Sequence, residues 1–169
     1  MSAAHGTHVR DAAAEDLPGV LQIYNDIIAN STAVYSDTPV TLADRLQWWR
    51  TRTAQGYPVL VAGDASDILG FATFGDFRSW PGYRYTVEHT VHVRQDCRSR
   101  GIGRELMLVL LARAAACGKH MMIAGIDAAN DASIRFHERL GFTRAAVLRE
   151  VGYKFDRWLD LLFMQRVLP

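Results

Sequence analysis

The segment Val91-His92-Val93-Arg94-Gln95-Asp96-Cys97-Arg98-Ser99-Arg100-Gly101-Ile102-Gly103-Arg104 constrains this chain more than any other. A run with β-branched residues enters a basic turn of the form Arg-x-x-Gly-x-Gly, and that turn opens directly into an apolar-periodic helix. Glycines let a backbone approach a ligand closely, and the first turn of a helix presents N–H groups that favour anions. Arg98, Arg100 and Arg104 add positive charge around the same turn. The pattern predicts a pyrophosphate cradle between a strand and a helix.

Other phosphate-binding loops fit less well. A dinucleotide fingerprint needs a third glycine where Leu106 stands, and an early place in a βαβ unit. A Walker A loop ends in Gly-Lys-Ser/Thr, whereas Gly118-Lys119 is followed by His120. The six residues alone would serve equally as a glycine-containing turn with a solvated basic cluster.

The rest of the chain supplies context. Its 169 residues suit one domain, expected over 1–169, with 49% apolar and 22% charged residues. A net charge of +1 gives no electrostatic reason to expect nucleic-acid binding. Cys97 and Cys117 have neither a disulfide-framework nor a metal-ligand spacing, so no metal is expected and a reduced, cytoplasmic setting is. The polar N-terminus lacks a signal-like apolar region, and no run reaches membrane-spanning length.

Periodicity places the elements. A short strand is expected over His8–Asp11. A helix follows with Leu17, Val20, Leu21, Tyr24, Ile27 and Ile28 on one face. A second helix starts at the capping-box-like Thr41-Leu-Ala-Asp44 and runs through Trp48 and Trp49. Strands are expected over Pro58–Ala62, Ile68–Phe77 and Thr86–Val93, with a loop at Ser79–Tyr83. The helix after the cradle buries Ile102, Leu106, Val109, Leu110, Ala114 and Cys117, and Gly118 ends it. A buried strand over Met121–Ile126, a short helix over Asn130–Leu140 stopped by Gly141, and two strands about Ala145–Tyr153 and Trp158–Val167 complete the chain.

Arg98-x-x-Gly101-x-Gly103, this order of elements, and Asn130-x-x-Ser133-x-x-x-His137-x-x-x-Gly141-Phe142 together resemble the N-acetyltransferase (GNAT) superfamily. Five further stretches resemble its phosphinothricin and methionine sulfone/sulfoximine N-acetyltransferases. They are Ile23-Tyr24-Asn25, Gln55-Gly56-Tyr57-Pro58, Val87-Glu88-His89-Thr90-Val91, Ile123-Ala-Gly-Ile-Asp127, and Val151 to Asp160 with Lys154, Phe155 and Trp158. Gln95 stands where a proline is common and Ser99 where a glycine is frequent. Neither change removes a donor, because the anion contacts are made by backbone N–H groups. The resemblance implies an α/β fold whose mostly antiparallel sheet is flanked by helices, with acetyl-CoA as co-substrate between the fourth and fifth strands. It also implies acetylation of the α-amine of a small amino-acid analogue, and the apolar C-terminal strands imply a homodimer. A protein N-terminal or other small-amine acetyltransferase, and a non-catalytic acyl-CoA-binding module, are the alternatives.

Acetyl transfer to an amine requires that the amine lose a proton, that an oxyanion meet preorganised donors, and that a thiolate depart. In a regular strand Glu88, Thr90 and His92 share one face and His89 takes the other. Glu88 is the candidate base, directly or through water, although a solvated strand glutamate has the same sequence. His89 is either a pocket residue or a core histidine. The main chain of Val91, His92 and Val93 is expected to pair with the strand-like pantetheine, and Arg98, Ser99, Arg100, Gly101, Ile102, Gly103 and Arg104 to cradle the pyrophosphate. Asn130, Ser133 and His137 stack on one side of the short helix. The first two are candidate pantetheine contacts. His137, where relatives carry a tyrosine, is a candidate general acid or a structural hydrogen-bonder. Arg78, Ser79, Trp80, Glu88, His89 and Thr90 are candidate amine-binding residues. Arg78 and Arg84 would offer charge beside a Trp80 lid, or else be solvated arginines. Lys154, Phe155 and Trp158 would complete the pocket, a dimer interface or the core.

Overall fold

Alternating apolar residues along the middle strands produce a sheet that is buried on both sides, and each side is covered by its own helices. The structure, a computed structural model, describes residues 8–169. The first seven residues, including the polar N-terminus and the start of the expected 1–169 domain, lie outside the described residues.

The strands are β1 (Val9–Asp11), β2 (Val59–Asp64), β3 (Asp67–Asp76), β4 (Thr86–Val93), β5 (Met121–Asp127), β6 (Thr143–Lys154) and β7 (Arg157–Val167). The helices are α1 (Leu17–Asn30), α2 (Leu42–Ala54), α3 (Ile102–Ala116) and α4 (Asp131–Arg139). The seven strands form one sheet in the order β1-β2-β3-β4-β5-β7-β6. Neighbours are antiparallel except β4 and β5, which run parallel.

Side chains of period two sort the strands' residues between two cores. Leu60, Ala72, Phe74, Val87, Met122 and Ala124 pack with Leu106, Met107 and Leu110 of α3 and with Ile134 of α4. Val61 and Phe71 face the opposite way and pack with Leu17, Val20, Ile23 and Ile27 of α1. Within α1, Ile23 is buried while Leu21 and Tyr24 are only partly so.

Local chemistry sets the boundaries. Thr41 and Asp44 form the expected capping box at the start of α2, each accepting from the other's backbone N–H. Gly118 and Gly141 adopt left-handed φ of 70° and 81° just past α3 and α4, where the carbonyls of the last turn need such a residue. The β6–β7 hairpin turns at Phe155 and Asp156, both with positive φ (51° and 55°), the twist of a type I′ turn built here without glycine.

Candidate active site

The cradle forms at the start of α3. Gly101 is the N-cap residue with φ 85°, and no side chain caps the helix. The first intrahelical bond runs from Glu105 N–H to the Gly101 carbonyl, so the N–H groups of Ile102, Gly103 and Arg104 have no intrahelical acceptor. Ser99 also has left-handed φ, 63°, and Ile102, Gly103 and Arg104 all line one cleft. A β-carbon at Gly101 would meet nothing within 4 Å, and one at Gly103 would stand 3.5 Å from Phe136 and Val93. The space beside Gly101 is therefore left open by the protein, and that beside Gly103 is bounded by Phe136 and Val93 at ordinary contact distance. Arg98 and Arg104 line this cleft with Ser99, Gly101, Ile102 and Gly103, whereas Arg100 stands outside its wall.

The cleft exists because β4 and β5 part. Their parallel ladder holds only from Thr86–Met121 to Glu88–Ile123. Beyond it, His89–Val93 pair with β3 alone and Ala124–Asp127 with β7 alone. One edge of β4 and one of β5 thus face each other across a cavity of about 870 Å³, large enough for an extended cofactor arm together with a small ligand. The backbone polar groups on that edge need partners. Thr90, Val91, His92 and Val93 all line it.

Glu88 sits at the fork. Its carboxylate lies over Gly125 of β5, where a β-carbon would come within 2.9 Å of Oε1. Burial raises its pKa above the usual carboxylate range, and the positive charge of Arg78 draws it partly back. A carboxylate that is half-buried, has its pKa raised and makes no ion pair among the described residues can accept a proton from a nearby ammonium.

On the opposite face of β4, His89 and His137 of α4 stack with ring centroids 5.1 Å apart. His137 Nδ1 lies 2.7 Å from the Ser133 carbonyl and can only donate there. Its Nε2, 3.1 Å from His89 Nε2, is then the acceptor. Burial lowers both pKa values, so both rings are neutral near pH 7. The imidazole expected as a general acid is 4% exposed and has both nitrogens engaged within the protein. Asn130 caps α4, its side chain accepting from Ser133 N–H at 3.1 Å. Both residues line the cleft as well. His92 also stays neutral, its pKa pushed down to about 4 by burial and by the charges of Arg98 and Arg45.

The loop before β4 is arranged differently from expectation. Arg78, Ser79 and Trp80 are exposed and outside the cleft wall, and Trp80 is 73% exposed rather than closed over the site. The loop folds onto itself instead: Tyr83 N–H bonds to the Trp80 carbonyl, and Arg84 bonds to the Pro81 carbonyl through both its N–H and its guanidinium. Of this loop, Arg78 acts on the cleft through its charge on Glu88. Lys154 does not complete the pocket either. It is buried with its ammonium on three backbone carbonyls, while Phe155 and Trp158 are half or more exposed.

Other cleft residues escaped the sequence reading. Tyr24 and Ile27 of α1, Ser31, Ala33 and Val34 of the following segment, Gly125 and Asp127 of β5, and Phe136 and Arg139 of α4 all line it. Asp127 is buried, accepting from Thr32 Oγ1 at 2.5 Å and from Ala129 N–H at 3.0 Å. Local patterns carry little sign of these residues, apart from the Ile23–Asn25 and Ile123–Asp127 matches, because they come from α1, β5 and α4 and meet only in the folded chain.

A fork between two parallel strands, an uncapped helix start beside it, and a half-buried carboxylate at its apex are the elements of an acyl-transferring enzyme. The chain belongs to the acetyltransferase (GNAT) family, whose sequence profile matches residues 20–142. It is 52% identical over 158 residues to the L-methionine sulfoximine/L-methionine sulfone acetyltransferase of Pseudomonas aeruginosa, an alignment covering 93% of this chain and 92% of that one. To the phosphinothricin N-acetyltransferase of Alcaligenes faecalis it is 36% identical, with 95% of this chain and 80% of the relative covered. Its fold is similar to that of a Salmonella typhimurium acetyltransferase solved with its cofactor acetyl-CoA. The TM-score there is 0.93 at 45% identity, over 96% of this chain and 94% of that one.

Proposed function

We propose that this enzyme transfers the acetyl group of acetyl-CoA to the α-amine of a small amino-acid analogue of the methionine sulfone, methionine sulfoximine or phosphinothricin type. The observation that carries the reading is the Glu88 carboxylate at the fork of β4 and β5, over Gly125, with the uncapped start of α3 at the cleft's other end. The relatives named above act on just such amines, and the alignment with them runs through nearly the whole chain.

The cradle N–H groups of Ile102, Gly103 and Arg104, with Arg98 and Arg104, hold the pyrophosphate. The free edge of β4 pairs with the pantetheine, and Asn130 and Ser133 approach it from α4. Glu88 takes a proton from the arriving ammonium, directly or through one water. The neutral nitrogen attacks the thioester carbonyl, the free β4 edge meets the oxyanion, and the carbon–sulfur bond breaks with its electron pair on sulfur. A second nitrogen proton then ends on the departing thiolate. His137 braces β4 through His89 and is not asked to give up a proton. Arg78 keeps Glu88 closer to ionisation, and Thr90, on the same strand face as Glu88, borders the acceptor side.

The half-exposed apolar residues of the β6–β7 hairpin, Val151, Tyr153, Phe155 and Trp158, fit a two-fold interface between copies of the chain. Two unpaired cysteines and the absence, among the described residues, of a helix long and apolar enough to cross a membrane agree with a cytoplasmic setting.

The test is release of free coenzyme A with methionine sulfone, methionine sulfoximine, phosphinothricin, short peptides and polyamines as acceptors. Turnover is expected with the first three. Turnover confined to peptides or polyamines would overturn the substrate assignment, and cofactor binding without any turnover would make the protein a binding module.

A further inference from the structure

Residues 31–41 connect α1 to α2 and contain neither helix nor strand, so no ladder of their own fixes their path. Ser31, Ala33 and Val34 of this segment nevertheless form part of the cleft wall. Their position is set from a distance. Lys154, at the end of β6, extends its ammonium to the carbonyls of Ile28 at 2.6 Å, Ser31 at 2.7 Å and Val34 at 2.9 Å. An ammonium has three hydrogens, and all three are used. Lys154 is 1% exposed and forms no ion pair among the described residues, so its charge is met chiefly by carbonyl dipoles, with the Phe155 ring 4.9 Å away and the charge of Asp37 adding to them.

The Ile28 carbonyl belongs to the last turn of α1, and a cation there would serve as an ordinary helix cap. The Val34 carbonyl lies beyond that helix, so the bond to it closes the segment instead. Two further ties come from the same side of the sheet. Thr32 bonds to Asp127, and the Tyr35 hydroxyl lies 3.4 Å from the Asp160 carbonyl. The Tyr35 ring packs on Gly152, where any β-carbon would collide with it. Asp127 is two residues beyond Gly125 on one face of β5, and Glu88 rests on Gly125. The tied segment therefore stands at the Glu88 end of the cleft and not at the cradle.

We infer that Lys154 is a positioning residue for the acceptor amine: without lining the cleft, it holds Ser31–Val34 as the wall beside Glu88. This inference rests on the reading of the cleft given above. A compact ammonium can gather three converging carbonyls, which an apolar side chain of the same length would leave unsatisfied.

Lys154→Met tests it by two independent measurements. In the folded variant, amide hydrogen exchange over residues 29–36 should quicken by roughly tenfold or more while β4 and α3 stay protected. With the best amine from the panel, its KM should rise by about tenfold or more while acetyl-CoA affinity by calorimetry stays within about twofold. Should Lys154→Met fail to fold, Lys154→Gln, which keeps two donors, gives the same readouts. Unchanged exchange over 29–36 in a folded variant overturns the clamp, whatever the substrate proves to be. Quickened exchange with an unchanged amine KM, or an acetyl-CoA affinity that falls in step with it, overturns the positioning role and leaves Lys154 a part of the general fold. An enzyme without activity on any amine fails the functional reading, while the exchange measurement still decides the clamp.

Discussion

His89 donates its Nε2 proton to Nε2 of His137, 3.1 Å away, because the single proton of the neutral His137 ring is already committed to the Ser133 carbonyl. The pair joins β4 to α4 in the wall of the cleft and sets the tautomer of both rings. His137→Phe leaves a buried N–H on His89 without its acceptor, which costs about 1–3 kcal/mol of stability. The expected kinetic effect is small, with kcat within about tenfold of wild type. Loss of a working general acid would instead cost on the order of 10²-fold or more. Chemical denaturation and steady-state kinetics on the one variant separate the two roles.

The same rings make stability depend on pH. His89, His92 and His137 all have pKa values lowered on folding, His92 to about 4. The unfolded chain then binds more protons than the folded one below the ordinary histidine value, so stability rises with pH in that range. The contribution is complete above about pH 6.5 and is lost as pH falls from there towards about 4. Melting temperatures taken at pH 7.5, 6.0 and 5.0 should fall in that order, and a flat profile would contradict the neutral, buried assignment.

Glu88→Gln keeps the side chain's shape over Gly125 and removes its basicity. It should lower kcat by roughly 10²–10⁴-fold with acetyl-CoA affinity retained, and the deficit should shrink at high pH, where more amine is already neutral. Because burial raises the pKa of Glu88, the acid limb of the wild-type rate profile should fall above the ordinary glutamate range. A Glu88→Gln enzyme with wild-type kcat across the pH range would falsify the assignment.

The cradle gives a binding prediction. A β-carbon at Gly103 finds only ordinary contact distances, to Phe136 and Val93, so Gly103→Val should fold, with its added bulk crowding the stretch of cleft wall that these three residues share. Gly101→Val adds strain as well, since its φ of 85° is unfavourable for a β-branched residue. Both should bind acetyl-CoA much more weakly by calorimetry, and unchanged affinity in folded Gly103→Val would remove the cradle from the mechanism.

The β6–β7 hairpin gives an assembly prediction. Tyr153 and Trp158 pack edge-on at 4.9 Å, yet both remain more than half exposed. Light scattering at micromolar concentration should report twice the 18.9 kDa chain mass, and Trp158→Glu should reduce it to one. A wild-type monomer would leave this face without the proposed partner.

What the sequence determined by itself is what depends on neighbours along the chain. The Thr41–Asp44 box, the left-handed glycines after α3 and α4, and the uncapped glycine turn after β4 are each written within a few residues, and so is the alternation that sends Glu88 and His89 to opposite faces. The tertiary structure decided what depends on distance between elements. Trp80 reads locally as a lid, but its loop bonds to itself and leaves the ring in solvent. His137 reads as either an acid or a structural hydrogen-bonder until His89, forty-eight positions earlier, is found against its free nitrogen. Lys154 reads equally as a residue of the pocket, of a dimer interface or of the core, and proves to be a buried tie to carbonyls more than a hundred residues away. A hydrogen bond satisfies whichever polar group the packed fold brings within about 3 Å, and no local pattern encodes which group that will be.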